Sequence, residues 1–323
     1  MRSLYTVVRS FSLASLIFII TGLLISCTSK QSTAPVEPPP DQPFKIIGYL
    51  PEYRVDSAFD SSGYYATDLI YFSIEPAPSG ELLTERVTPS AKTKLNSYKS
   101  RFQTRIHIAV GGWGRSDNFA PMSTDSVTRK IFIENLTQFC VANGFSGADY
   151  DWEFPQNSAE IRAYSDLIVE TAQAFKAHGF RVSAALNISQ NLEATAYDAI
   201  DRIHVMAYDN NGRHSTYEQA VAAVEGFVNK GVDKSKIALG VPFYGRSITD
   251  FSQTFTYAEI VDQYHPAPET DEVAGIYFNG ISTIKRKTEY ALSQKLAGIM
   301  IWEVGQDTND QTSLLKTIYN TIF

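Results

Sequence analysis

From Phe44 to the end of the chain, short apolar runs alternate with helical patterns, and this alternation limits the fold more than any other feature. Eight runs have strand length: 45–50 (KIIGYL), 68–74 (DLIYFSI), 105–110 (RIHIAV), 147–154 (GADYDWEF), 181–188 (RVSAALNI), 202–208 (RIHVMAY), 236–244 (KIALGVPFY) and 296–304 (LAGIMIWEV). Between them, Ile161, Tyr164, Ile168 and Phe175 mark a helix that ends before Gly179. Val221, Val224 and Val228 mark another that ends before Gly231, and Ile281, Ile284, Thr288 and Leu292 mark a third. A glycine just past the last periodic residue is a helix stop signal. Eight strands alternating with helices predict a (β/α)8 TIM barrel over 44–323. A doubly wound open sheet is the alternative, but no Gly-rich nucleotide loop follows the first run.

Polar residues fall where a barrel keeps its site. Glu153, Tyr208, Asp209, Tyr244, Trp302 and Glu303 all lie at the C-terminal ends of runs, the catalytic face of this architecture. The most loaded run is the fourth. Asp149, Asp151 and Glu153 alternate with Tyr150 and Trp152, so three carboxyl groups share one face of one strand, ~6 to 7 Å from neighbour to neighbour. Like charges that close raise the pKa of at least one group, and burying them is costly without a role. Acid–base chemistry on a substrate is that role. A solvated strand edge or a calcium loop is the plain alternative, but the interleaved aromatics and the lack of internal glycines argue against both. Trp152 alternates away from the acids and is expected to pack against helices.

Other classes are disfavoured by composition. A net charge of −7 argues against a nucleic-acid partner. The one basic run, Lys285-Arg286-Lys287, falls in a helical pattern and reads as a solvated face. The five histidines make no metal-binding spacing, and His107 and His204, inside strands, read as structural. No cofactor or metal is expected. At the N-terminus, Arg2 and Arg9 precede an apolar run from Leu13 to Ile25, a secretion signal over 1–26. An uncleaved membrane anchor is the alternative, but the run is short for a span. Leu24-Ile25-Ser26-Cys27 resembles the bacterial lipobox, with Cys27 lipidated, and 27–43 is a Pro/Ser/Thr-rich linker. The expected location is the cell envelope, as an exported lipoprotein of the outer membrane or cell surface whose only membrane contact is the lipid. Cys140, in an apolar helical pattern, is expected to be a buried inert thiol.

At these residues the chain resembles glycoside hydrolase family 18, the chitinases and related endo-β-N-acetylglucosaminidases. GADYDWEFP is similar to the family's DGxDxDxE strand, IGYLPEY (47–53) to its first strand and VMAYDNNG (205–212) to its sixth. VPFYGR (241–246) and GIMIWEVGQD (298–307) resemble its seventh and eighth. The order is the family's, and the matches span nearly all of the chain after the linker. The resemblance implies retaining hydrolysis of β-1,4-linked N-acetylglucosamine polymers, with the substrate's own acetamide as nucleophile. Glu153 is then the general acid and base, Asp151 orients the acetamide, and Asp149 shares a proton with Asp151. Tyr208 bonds the acetamido group, Met206 and Asp209 shape the pocket, and Trp302 is the floor on which the sugar stacks. Tyr49 and Arg246 are candidates for pocket wall and substrate contact.

Two positions depart from the pattern. Ser146 stands where the family's first Asp does, and Ala109 where its strand-three serine does. Losing both supports is expected to shift the coupled titration of Asp149 and Asp151. Only about 50 residues separate the seventh and eighth runs, so little or no insertion domain is expected there, with Ser247–Phe278 as an extended loop or small hairpin. That implies an open groove and endo-type cutting by a monomer. The alternatives are an endo-β-N-acetylglucosaminidase acting on N-glycans or bacterial wall glycan, and a weakly active or non-catalytic glycan-binding relative.

Overall fold

The computed structural model describes residues 44–323. The proposed signal, Cys27 and the linker lie outside the described residues. Eight parallel strands form the frame: β1 (Lys45–Pro51), β2 (Asp68–Pro76), β3 (Arg105–Gly111), β4 (Gly147–Asp151), β5 (Arg181–Leu186), β6 (Arg202–Val205), β7 (Ile237–Pro242) and β8 (Gly298–Trp302). Each pairs with the next in sequence, and β1 also pairs in parallel with β8, so the sheet closes on itself. Closure leaves no free edge. Helices connect the strands, among them Pro89–Phe102, Ser126–Asn143, Ser158–Lys176, Tyr217–Asn229, Ile281–Ser293 and Leu314–Ile322. This is the (β/α)8 barrel that the alternation predicts.

Local chemistry sets the boundaries. Asn157 caps Ser158–Lys176 by accepting from the backbone N–H groups of Ala159 and Glu160. Thr216 and Gln219 form a capping box at the start of Tyr217–Asn229. Helix Ser126–Asn143 stops where Gly144 takes φ +64, a left-handed conformation that glycine adopts freely.

Two cores result. The outer one lies between the sheet and the helices and takes in Trp152, stacked on Phe119 at 5.1 Å between centroids. The inner one fills the lumen with Ile47, Tyr49, Ile70, Phe72, Ala109, Ala185, Tyr208, Ala238 and Met300. Below it, at the strand starts, Asp68 gathers His107 Nε2 (3.0 Å), Arg202 Nη2 (3.3 Å) and Arg105 Nη2 (3.3 Å). Burial alone would raise the Asp68 carboxyl, but Arg202, His107 and Arg105 outweigh it and hold it well below the ordinary range.

Three expectations change. Between β7 and β8 the chain forms more than a loop: short strands Tyr244–Ser247, Thr254–Thr256, Glu272–Val273 and Ile276–Tyr277 make an antiparallel sheet, with helix Tyr257–Tyr264 beside it. It is small, so no large insertion domain is present there. Lys287 is not on a solvated face. It is fully buried, because its helix turns that position toward Ser215 and Asn279, whose oxygens accept all three ammonium hydrogens at 2.7–2.9 Å. Finally, the strand ladders stop earlier than the apolar runs. β4 ends at Asp151 and β6 at Val205, so Glu153 and Tyr208 stand on segments that have already left the sheet. Among the described residues, no helix is long and apolar enough to cross a membrane.

Candidate active site

The acids of β4 rise through the barrel from its interior to its mouth. Asp149 is fully buried, and its two oxygens receive three donors. Tyr49 on β1 donates to Oδ2 at 2.5 Å, Ser183 on β5 to Oδ1 at 2.6 Å, and His204 Nδ1 on β6 lies 2.9 Å from Oδ1. Burial would push this carboxyl up, but His204, Ser183 and Tyr49 outweigh it and hold it below its ordinary value. Asp149 is therefore the charged member of the row. His204 itself is kept low by burial, which makes it a neutral imidazole donating from Nδ1.

Asp151 has the opposite setting. It is buried, its Oδ1 has no hydrogen-bond partner among the described residues, and burial followed by the charges of Glu153 and Asp149 raises it well above the usual range. Glu153 lies at the mouth. Burial, then the charge of Asp209, pushes it up to about 7, against a backbone N–H from Trp113 that pulls it down. β4 and the segment just past its end thus carry a carboxylate held charged and, above it, two groups that favour the proton. Strongly perturbed acids in a cleft mark functional sites.

The loop after β3 fixes this row from one side. Gly112 N donates to Asp151 O at 2.6 Å, and Ser116 Oγ accepts from Glu153 N at 3.0 Å. Gly112 has φ +108, and a Cβ there would meet the Phe72 ring at 2.1 Å, so only glycine lets the loop pass. Trp113, next in the chain, is 76% exposed beside Glu153.

Tyr208 is buried, with its hydroxyl toward Met300 Sδ at 3.8 Å. Burial, and then the charge of Asp151, raises it, so the phenol faces the acid row. Met206 packs half-buried against the inner core. Asp209, at φ +63, accepts from Tyr244 Oη (2.6 Å) and Arg246 Nη1 (3.1 Å). Burial would raise Asp209, but His214, Tyr244 and Arg246 hold it low. Trp302 is half-buried and rests edge-on against Phe72 (4.9 Å) and near Tyr49 (5.5 Å). The structure therefore gathers Asp149, Asp151, Glu153, Met206, Tyr208, Asp209 and Trp302 at one mouth. Tyr49 lies behind Asp149 and is 1% exposed, and Arg246 is engaged by Asp209 and by Phe251 O (2.7 Å).

Around the acids, Ser183 goes unread in the sequence, and His204 reads there only as structural. Ala109 and Ser183 are the two register partners of Asp149, on β3 and β5. The hydroxyl missing at Ala109 is supplied from the other side by Ser183. Ser146 only enters β4, its backbone bonded to Ile106 O and Arg181 N, at the end of the strand away from Glu153. His204 belongs to the same inward alternation as Met206 and Tyr208, and that alternation was the available signal. Cys140 is buried, its thiol pushed up to about 12 by burial. Among the described residues, no three His, Cys, Asp or Glu side chains are grouped so as to hold a metal ion.

Acids standing in line at the C-terminal mouth of a closed barrel, with an aromatic floor from the last strand, define a glycoside hydrolase type of barrel. The chain belongs to glycosyl hydrolases family 18, whose model matches residues 45–307. Chitinase 1 of Aphanocladium album is 26% identical over 280 residues, covering 68% of this chain and 66% of its own length. Chitotriosidase-1 of Mus musculus is 26% identical over 284 residues, covering 66% of this chain and 61% of its own. The chain thus spans somewhat under two thirds of each of these relatives. The chitinase ChiB from the chitin utilization locus of Flavobacterium johnsoniae superposes with a TM-score of 0.76 at 28% identity, covering 86% of this chain and 93% of that one. A chitinase from Bacteroides thetaiotaomicron shares the fold, with a TM-score of 0.77 at 22% identity, covering 87% of this chain and 97% of that one.

Proposed function

We propose that the chain is a retaining glycosidase cleaving β-1,4-linked N-acetylglucosamine polymers, chitin or its oligosaccharides, by substrate assistance. The observation that carries this reading is the division of protonation along the acid row of β4 and the segment just past it. Asp149 is held charged by three donors, while Glu153 at the mouth is pushed up to about 7. An acid that keeps its proton near neutrality can give it to a leaving oxygen.

In the proposed reaction, Glu153 protonates the glycosidic oxygen as the C1–O bond breaks, and the acetamide carbonyl oxygen of the same sugar bonds to C1. Asp151 takes the acetamide N–H and stabilises the positive charge that forms there. Tyr208 meets the acetamido group from the other side, and Trp302 supplies an apolar face for the ring. Glu153 then removes a proton from water as it adds to C1 and opens the intermediate, so its original state returns. Asp149, charged at rest behind Asp151, shares the proton that Asp151 carries, so Asp151 can turn negative as the acetamide becomes positive. The relatives named as chitinases support the substrate class.

The reading of 1–43 as a lipoprotein signal, lipidated Cys27 and linker belongs to the same proposal and rests on the sequence. Labelled fatty acid incorporated by the wild type and not by Cys27→Ser would support it; equal labelling would end it. The activity is tested by hydrolysis of chitin oligosaccharides by the full chain beside Glu153→Gln. Turnover lost by a factor of about 10² to 10⁴ with binding kept supports Glu153 as the acid. Turnover only on N-glycans or wall glycan would move the substrate class, and binding without turnover on any of them would make the chain a glycan-binding relative.

A further inference from the structure

The segment 111–116 (GGWGRS) lies directly against the stretch that carries the acid. Gly112 N and Ser116 Oγ both donate to Asp151 O, at 2.6 and 3.2 Å. Ser116 Oγ accepts from Glu153 N, and the Trp113 backbone N–H reaches the Glu153 carboxyl itself. Yet three of these six residues are glycines at positive φ, Gly111 at +92, Gly112 at +108 and Gly114 at +71. Glycine loses more freedom on ordering than any other residue, so a segment this rich in it needs ties from outside to keep one shape. Trp113 is largely exposed. The side chains that tie the segment down are those of Ser116 and Arg115.

Arg115 reaches two neighbouring strands. Its Nη2 donates to Glu52 Oε1 at 2.6 Å and its Nη1 to Glu52 Oε2 at 3.2 Å, just past the end of β1. Nη1 also donates to Ser73 Oγ on β2 at 3.0 Å, and Ser73 donates in turn to Gly111 O at 2.7 Å. The guanidinium lies over the Phe72 ring, 5.0 Å from its centroid. A single-contact ion pair in solvent contributes little. This one is two-pronged, and its side chains are only 15% and 20% exposed. A planar fork on a carboxylate fixes direction as well as distance.

We propose that Arg115 is a positioning residue for the acid: its fork on Glu52 and its bond to Ser73 hold the segment 111–116 so that the Trp113 N–H stays aimed at the Glu153 carboxyl. A donor on a carboxyl favours the charged form, so the Trp113 N–H pulls Glu153 down against the burial and the Asp209 charge that push it up. When the tie is cut, the glycines let the segment loosen, that donor weakens and Glu153 holds its proton to higher pH. The titratable groups that act on or respond to Glu153 are Asp151 from β4 and Tyr208 and Asp209 from the segment past β6. The loop after β3 carries Arg115 and Asp117. The loop after β5, which meets Trp152 O through Gln190, carries no titratable group from Asn187 to Leu192. Past β8, Glu303 is engaged by Arg54.

The test is the titration of Glu153 in the ¹³C carboxyl spectrum of the full chain labelled at glutamate, its resonance assigned by its loss in Glu153→Gln. Arg115→Met removes the fork. Glu52→Gln breaks it from the other side, because the amide nitrogen then faces a donor. The first variant deletes a positive charge and the second a negative one, so charge alone would move Glu153 up in one and down in the other. Loss of the tie moves it up in both, by about one unit, the change expected from weakening one bond to a charged group. A Glu153 that is unmoved or lowered in Glu52→Gln overturns the proposal, and so does one unmoved in Arg115→Met. Should Arg115→Met fail to fold, the sign in Glu52→Gln decides alone. With chitin oligosaccharides, the basic limb of kcat/KM moves to higher pH by the same amount in both variants, whereas a merely structural loss would lower the rate and leave the limb in place. Only this kinetic arm rests on the glycosidase reading. Absence of turnover by the wild type would sink that reading and leave the Glu153 titration standing.

Discussion

Removing the Ser183 hydroxyl should cost stability in a pH-dependent way. Ser183→Ala deletes one of three donors to a fully buried carboxylate, at 2.6 Å, and changes little else in volume. A hydrogen bond to a charged group contributes about 1.5–3 kcal/mol. At about 1.4 kcal/mol per pKa unit, the Asp149 carboxyl should rise by about one to two units. Its folded pKa is depressed, so its contribution is complete above the unfolded value near ~3.9 and disappears as pH falls through the folded value. The variant should therefore be less stable by about 1.5–3 kcal/mol at pH 7. The gap should shrink below about pH 4, toward the ~1 kcal/mol of a bond between neutral groups. Urea denaturation of both proteins at pH 7 and pH 3 measures this directly. A loss equal at the two pH values, or one below ~0.5 kcal/mol at pH 7, would refute the reasoning that Asp149 is charged and that Ser183 replaces the hydroxyl missing at Ala109.

Further outcomes follow from other parts of the site. Because burial and Asp209 push Glu153 up to about 7, kcat/KM should fall as pH rises through that value, and Asp209→Asn should move this basic limb to lower pH. A pH–rate profile that is flat from 6 to 8 contradicts it. Trp302→Ala removes about 2 kcal/mol of apolar contact with the sugar, so KM should rise about 10- to 100-fold; steady-state kinetics showing a change under twofold would rule out the stacking role. Lys287, fully buried, is pushed down to about 7, below its unfolded value, so the unfolded chain binds the extra proton and stability should rise between pH 7 and 9. Lys287→Met should abolish that slope in denaturation at the two pH values, and an unchanged slope would assign it to other groups.

How much of this was legible in the sequence depends on whether the information was local. Strand and helix periodicity repeat within ten or twenty residues, so the barrel could be read from eight runs and their stops. The acid row is equally local, since Asp149, Asp151 and Glu153 occupy alternate positions of one short segment. The endings of strands were overread because a run of apolar residues does not show where the chain leaves its ladder. Tyr208 stays buried after β6 stops because the following loop is tied back by Ser215 Oγ to Ala207 O at 3.0 Å. Lys287 was misread for a related reason: a charged side chain in a basic run reads as solvated unless the distant Ser215 and Asn279 are known to surround it.

The support of Asp149 was hidden more deeply. Tyr49, Ser183 and His204 lie 100, 34 and 55 residues away from it. They meet only because barrel closure sets the register of β4 against β5 and brings β1 and β6 across the lumen. A family pattern places a serine on β3 as the support and sees a loss at Ala109. The physical requirement is only that a buried carboxylate receive enough donors, and either register neighbour can supply one. Substitution at one neighbour is therefore informative only together with the residue at the other. Here the pair Ala109 and Ser183 keeps the hydroxyl count at one, which is why the departure at Ala109 leaves Asp149 charged.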